Sequence, residues 1–271
     1  MAIANFIPEL WSTQVLTAFR KNHVFANLVN RNYEGEIRNA GDTVRITTPA
    51  AITVGAYSGT VSYETPTSAQ QSLLIDKKRY WAFLIDDVDQ AQANVNLMQA
   101  YMDDAGDKLA DDVDTDLAGL YTAAGLTDIS LDVGTDDFYD KLVLAGQQLD
   151  EANVPRSGRW VVMTPKGYAD LLQNANFINA TDAGASLIRT GALGMAAGMS
   201  VYVSNNIVNS TASTYQYLYG TNAAITMAAQ VVKTEATRPS DTFGDGVRGL
   251  FVYGRKVVRP NALGAIVADQ T

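Results

Sequence analysis

Seven aspartates and one lysine stand in DDAGDKLADDVDTDLAGLY, residues 103–121. Carboxylates at that density could hold a divalent cation or serve as a general acid–base pair. A calcium loop sets alternating oxygen ligands around a glycine turn. The run DDVDTD has no such glycine and lies inside a helical pattern. Acid–base work needs a pocket beside the carboxylates, and no pocket signature or sugar-binding aromatic platform accompanies them. His23 is the only histidine, so a Ser-His-Asp triad could form only around it, and no GxSxG elbow occurs anywhere. No GxxxxGK[ST] loop is present, and GALGMAAG at 191–198 lacks the spacing of a dinucleotide fingerprint. With no cysteine, thiol nucleophiles, disulfides and zinc–thiolate sites are excluded. The residues therefore predict no catalysis, no cofactor and no metal.

The basic residues carry more. Lys77, Lys78 and Arg79 cluster in one place, and Arg248, Arg255, Lys256 and Arg259 in another. They are either plain surface charge or complements to the acidic run, on the same chain or on a neighbour. Such exposed pairs are worth only about 0–1 kcal/mol each, but repeated they set register and partner choice.

These charges must be positioned by something. From Val88 to Leu120, apolar residues recur at steps of three and four, which predicts one long helix over residues 87–123. On its wheel, Asp103, Asp104, Asp107, Asp111 and Asp114 fall opposite the apolar arc, as a solvated face or one awaiting a basic partner. Asp112 and Asp116 fall at or inside the arc and need Lys or Arg partners if buried. Before the helix, DTVRIT alternates, with Val44 and Ile46 on one face. The stretch ITVGAYSGTVSYETPTS is rich in Thr, Ser, Gly and Tyr, and SLLID and YWAFLID return as strands. This predicts a long hairpin whose outer half projects from the body with open edges. Residues 1–32 read as a helical arm with a stripe of Trp11, Val15 and Phe19, followed by Val24, Phe25 and Leu28. So short an arm cannot bury that stripe alone.

After the long helix, residues 136–152 predict a second helix with Phe138, Leu142, Ala145 and Leu149 on one face. Trp160–Met163 predicts a buried strand, GYADLLQNA a short helix, residues 178–199 a flexible loop, and the remainder strands and turns. A length of 271 residues, 47% of them hydrophobic, allows one large domain or two modest ones. The net charge of -9 argues against a phosphate-backbone binder. No signal peptide and no membrane-length apolar run is apparent.

Specific stretches in this order resemble the major capsid (coat) proteins of tailed bacteriophages with the Hong Kong 97 fold. They are FIPELWS, FANLVNRNYEGEIRNAGDTVRI, DDVDQAQANVNLM, RWVVMTPKGYADLL and YGRKVVRPNALGAI, which together span essentially the whole chain. The resemblance implies an α+β fold. Residues 1–37 would form an N-terminal arm and 38–84 an extended hairpin loop lying across an adjacent subunit. Residues 85–135 would form a peripheral domain with the long spine helix, 136–235 an axial domain around the five- and six-fold axes, and 236–271 a return to the peripheral domain. Copies would assemble as pentamers and hexamers of an icosahedral shell around double-stranded DNA, in the host bacterial cytoplasm. The implied partners are other copies, a portal, a cement protein and a separate scaffolding protein, since Met1 runs almost directly into the arm. The acidic balance would keep the shell lining from gripping DNA tightly. The residues expected at subunit contacts are Trp11, Phe19, Phe25, Arg45, Tyr57, Tyr63, Lys77, Lys78, Arg79, Asp107, Asp111 and Asp114. Two alternatives remain at this point: an encapsulin-type compartment shell, and a soluble hydrolase built on aspartate pairs.

Overall fold

In the computed structural model, the described residues are 24–33, 43–48, 69–86, 97–173, 194–211, 213–237 and 244–270, with single positions at 52, 54, 56, 57, 59 and 63. Trp11, Phe19 and His23, the expected first turns of the long helix, and most of the expected loop 178–199 lie outside them.

The predicted alternation of DTVRIT becomes β1, Thr43–Thr48, which pairs antiparallel with β2, Ala69–Leu74. Arg45 is exposed and Ile46 buried, as period two requires. At the base of this hairpin, Ile46, Leu73, Ile75, Ala228 and Val252 make a small core of their own. A sharp break at Ile75 and Asp76 leads to β3, Lys77–Asp86. That strand leaves β2 and pairs instead with β11, Gly244–Val257, which pairs on its other side with β10, Ile225–Thr237. The long helix, here α2, Leu97–Ala118, packs against β3 of this three-stranded sheet. Its packing is aromatic at one end: Trp81 and Phe83 stack with centroids 5.8 Å apart, and Phe83 meets Tyr101 at 5.7 Å. Trp81 stands in register with Gly249, and a Cβ at that glycine would fall 2.4 Å from the indole. The indole therefore fits only because that position carries no side chain.

The second sheet has seven strands in the order β4-β12-β9-β5-β7-β6, with β8 paired to β9. These are β4, Ile129–Asp132; β5, Arg159–Met163; β6, Met195–Ala196; β7, Met199–Val203; β8, Asn209–Thr211; β9, Thr214–Thr221; and β12, Leu263–Asp269. Every residue of RWVVM is buried, which explains its unbroken apolar run. Helix α3, Phe138–Glu151, buries Phe138, Leu142, Ala145 and Leu149 at the predicted spacing. Asp137 caps it, accepting from the N–H groups of Tyr139 (2.9 Å) and Asp140 (3.4 Å). A shorter helix, α4, Pro165–Gln173, buries Leu171.

Two strand pairs cross from one sheet to the other. The turn after Thr221 carries the chain from β9 to β10, and a 3-10 turn at Pro260–Ala262 carries it from β11 to β12. The N–H groups of Val258 and Arg259 both donate to Ala224 O, at 2.8 and 3.2 Å, and tie the crossings together. Sheet membership thus changes near residues 222–224 and 258–262. Both crossings fall inside continuous β patterns, so periodicity gave no mark of them. Among the described residues, one main core runs through both sheets, from Val24 to Ala268.

Candidate functional site

The acidic helix meets basic strands of its own chain. On β3, alternation sends Lys77 and Arg79 toward α2 and leaves Lys78, Tyr80 and Ala82 outward and exposed. Arg79 Nε pairs with the Asp112 carboxylate, and Asp112 holds the Arg79 guanidinium above its usual value, mainly through that hydrogen bond. One turn on, Asp116 accepts from Arg255 Nη2 at 2.6 Å and from Tyr253 Oη at 3.0 Å. Burial pushes the Asp116 carboxyl up, but the bonds from Arg255 and Tyr253 and the nearby Lys77 outweigh it, and the carboxyl lies below its usual value. Burial pushes the Tyr253 hydroxyl well above its usual value, with Asp116 adding to the effect. Both aspartates stand in the last turns of α2, where the helix dipole disfavours negative charge, and the two arginines offset that. Asp116, largely buried, has the basic partner expected of a buried carboxylate, in Arg255 of the same chain, whereas Asp112 pairs with Arg79 while 44% exposed.

Of the expected contact residues, Phe25 and Asp114 are buried within the chain, and Arg79 is paired within it with its side chain 42% exposed. Phe25 is fully buried in the main core. Arg79 is engaged with Asp112 as above. Asp114, expected on the solvated face, is also fully buried. Its carboxylate accepts from Val24 N (3.2 Å), Ala26 N (3.1 Å) and Asn206 Nδ2 (3.3 Å). The base of the arm therefore docks on the flank of α2 through its backbone. Asn30 continues this docking by bridging to β10, exchanging bonds with Ile225 O and Met227 N. A helical wheel reads side chains, and the element that covers Asp114 presents bare N–H groups, so no apolar pattern marks the covered flank. Asp107 and Asp111 are half-buried, while Asp103 and Asp104 are exposed.

Among the other expected residues that the structure describes, Lys77 is half-buried and Arg45, Tyr57, Tyr63 and Lys78 are exposed. Beyond the paired part of the hairpin, Ile52, Val54, Tyr57 and Tyr63 are 75%, 94%, 77% and 92% exposed. Four large apolar side chains so close in sequence are left uncovered by their own chain.

The sequence reading missed two polar knots. Arg159, almost wholly buried, donates to Asp150 (2.7 Å), Pro155 O (3.0 Å) and Val154 O (2.5 Å), and so locks the end of α3. Near the C-terminus, Gln270 Nε2 donates to Thr164 Oγ1 and to Tyr217 Oη, while Lys166 Nζ donates to Gln270 O at 2.6 Å. Neither knot has a sequence signal, because each joins residues distant in the chain or uses backbone carbonyls. Among the described residues, no three carboxylate or imidazole groups gather as a metal ion would require. None of the described helices is long and apolar enough to cross a membrane.

This arrangement of arm base, hairpin, long helix on one sheet and helices on a second sheet is found in known proteins. A chain from the structure of Mycobacterium phage Che8 is 33% identical, with a TM-score of 0.82 over 98% of each chain. The capsid structure of the cyanophage P-SCSP1u matches at 21% identity and a TM-score of 0.78, covering 96% of this chain and 92% of that one. The capsid of Ralstonia phage GP4 matches at 14% identity and a TM-score of 0.68, covering 100% and 98%. No curated protein matches in sequence. The family model described as phage capsid protein matches residues 70–267. The chain has the Hong Kong 97-type capsid fold, and it belongs to the phage capsid protein family as a major capsid protein that self-assembles into the shell of the virion.

Proposed function

We propose that copies of this chain form pentamers and hexamers of an icosahedral shell around double-stranded DNA, and that the chain itself catalyses no reaction. In this reading the long helix and the three-stranded sheet make the peripheral part, and the seven-stranded sheet makes the axial part. The hairpin, residues 38–84, lies across an adjacent subunit and the arm reaches toward a neighbour. A separate scaffolding protein, a portal and a cement protein complete the particle, and assembly takes place in the bacterial cytoplasm.

The observation that carries the reading is the uncovered hairpin. Burying one large apolar side chain is worth about 1.5–3 kcal/mol. Ile52, Val54, Tyr57 and Tyr63 leave that energy unrealised in a single copy, and patches of this kind mark protein contacts. The net charge of -9 suits a shell that encloses DNA without gripping it. Electron microscopy of the purified chain, expressed with and without a candidate scaffold, tests this. Uniform hollow shells are expected. Particles with the mass of one chain at every concentration and in both preparations would reject the reading.

A further inference from the structure

A cavity of about 590 Å3 opens where the two strand crossings meet the end of α3. Asn153 and Ser157 line one side, and Asn222, Arg259 and Asn261 line the other. Among the described residues, Arg259 is the only charged side chain in the lining, which holds no carboxylate. Arg259 is exposed, and among the described residues its guanidinium has no carboxylate partner.

Both walls are held rigidly. Arg259 N donates to Ala224 O at 3.2 Å, Ala262 N to Arg259 O at 3.0 Å, and Gly125 N to Pro260 O at 3.0 Å. Gly125 fits so tightly that a Cβ there would stand 2.7 Å from the Pro260 ring. Opposite, Asn153 adopts φ 58, in the left-handed region, and its N–H donates to Asp150 O at 3.0 Å. Val154 N donates to Leu149 O at 2.9 Å. The last carbonyls of α3 are thus already engaged and offer little repulsion to an incoming anion. A rigid frame lowers the entropy cost of binding. Here it displays a planar, five-donor cation that no carboxylate of the described residues engages. The groove beside it behaves differently. There Arg156 and Arg159 both close on Asp150, at 2.7 Å each, so that surface is already neutralised.

We propose that this cavity receives an aspartate or glutamate side chain from a second copy of the chain, held by the Arg259 guanidinium and the carboxamides around it. The chain has 29 acidic residues against 20 basic ones, so carboxylates are the side chains a neighbouring copy has in excess. Pairing would be fork-like and charge-assisted, which suits arginine better than lysine. The contact is heterologous, one copy's cavity on another copy's carboxylate, and that is the geometry that closes rings. This proposal rests on the shell reading above.

The test uses Arg259→Lys shells assembled from a mixture of heavy-isotope-labelled and unlabelled copies, treated with a zero-length carbodiimide that joins amines to carboxylates. The expected product is a cross-link from position 259 to an aspartate or glutamate of a differently labelled copy. In parallel, Arg259→Glu is expected to raise the chain concentration for half-assembly about tenfold, the equivalent of about 1.4 kcal/mol per contact, while leaving thermal unfolding of the unassembled chain unchanged. Shells without that cross-link, or Arg259→Glu assembling as the parent does, would overturn the proposal while leaving the shell reading intact. Failure of the parent chain to form shells would remove both.

Discussion

Single residues on α2 do opposite things although they share a side-chain type. Asp104 faces solvent, Asp112 and Asp116 bind arginines, and Asp114 receives three hydrogen bonds away from water. Removing a buried acceptor strands its donors, which costs more than removing an exposed charge. Asp114→Ala is therefore expected to destabilise the unassembled chain by about 3 kcal/mol. Asp104→Ala is expected to stay within about 0.5 kcal/mol, both measured by denaturant unfolding. Asp116 also gives a pH dependence. Its carboxyl is lower in the folded chain than the unfolded value of about 3.9. Folding thus favours its charged form, so its stabilisation is present above about pH 3.9 and is lost as pH falls through the folded value. Acid unfolding of Asp116→Asn should show a shallower loss of stability below about pH 4 than the parent chain. An equally steep loss would mean that the Arg255 and Tyr253 bonds do not hold in solution.

At the scale of elements, β3 separates two roles that its sequence runs together. Lys77 and Arg79 face α2 while Lys78 faces outward. Lys78→Glu is expected to leave thermal unfolding of the unassembled chain unchanged and to lower the yield of shells at moderate salt. Arg79→Glu sets two like charges together at Asp112 and is expected to lower stability by about 1 kcal/mol before any effect on assembly. Equal shell yields from Lys78→Glu and the parent would remove Lys78 from the subunit contacts. In α2 itself, a Cβ on Gly106 would meet nothing within 4 Å. Gly106→Ala should stabilise the helix by about 0.5–1 kcal/mol, read as a higher unfolding midpoint.

Elements whose residues contact side chains were legible in the sequence. The α3 face, the buried β5 run and the β1 alternation all follow from period, and the need of Asp116 for a basic partner follows from its place on the apolar arc, though not which residue supplies it. Contacts to backbone were not legible: the arm base on Asp114, the carbonyls around Arg159, and the crossings at 222–224 and 258–262 leave no periodic trace. The cavity at Arg259 belongs to the same class, since its walls come from three separated segments joined by main-chain bonds.

For the whole molecule, the energetics divide between copy and shell. One chain satisfies its core through two sheets and the helices on them, with Asp112 and Asp116 of its acidic helix paired to its own arginines. What it leaves open is extended: the outer hairpin, the outward face of β3 with Tyr80 and Leu84, and the cavity at the crossings. A stable single copy with unsatisfied edges is what an assembling subunit needs, because contacts weak in one copy add up over many. The most direct measurement is a side-chain-resolution density map of the assembled shell. The account predicts that Tyr57 and Tyr63, 77% and 92% exposed in the single chain, are covered by an adjacent copy. A map in which both remain open to solvent would contradict it.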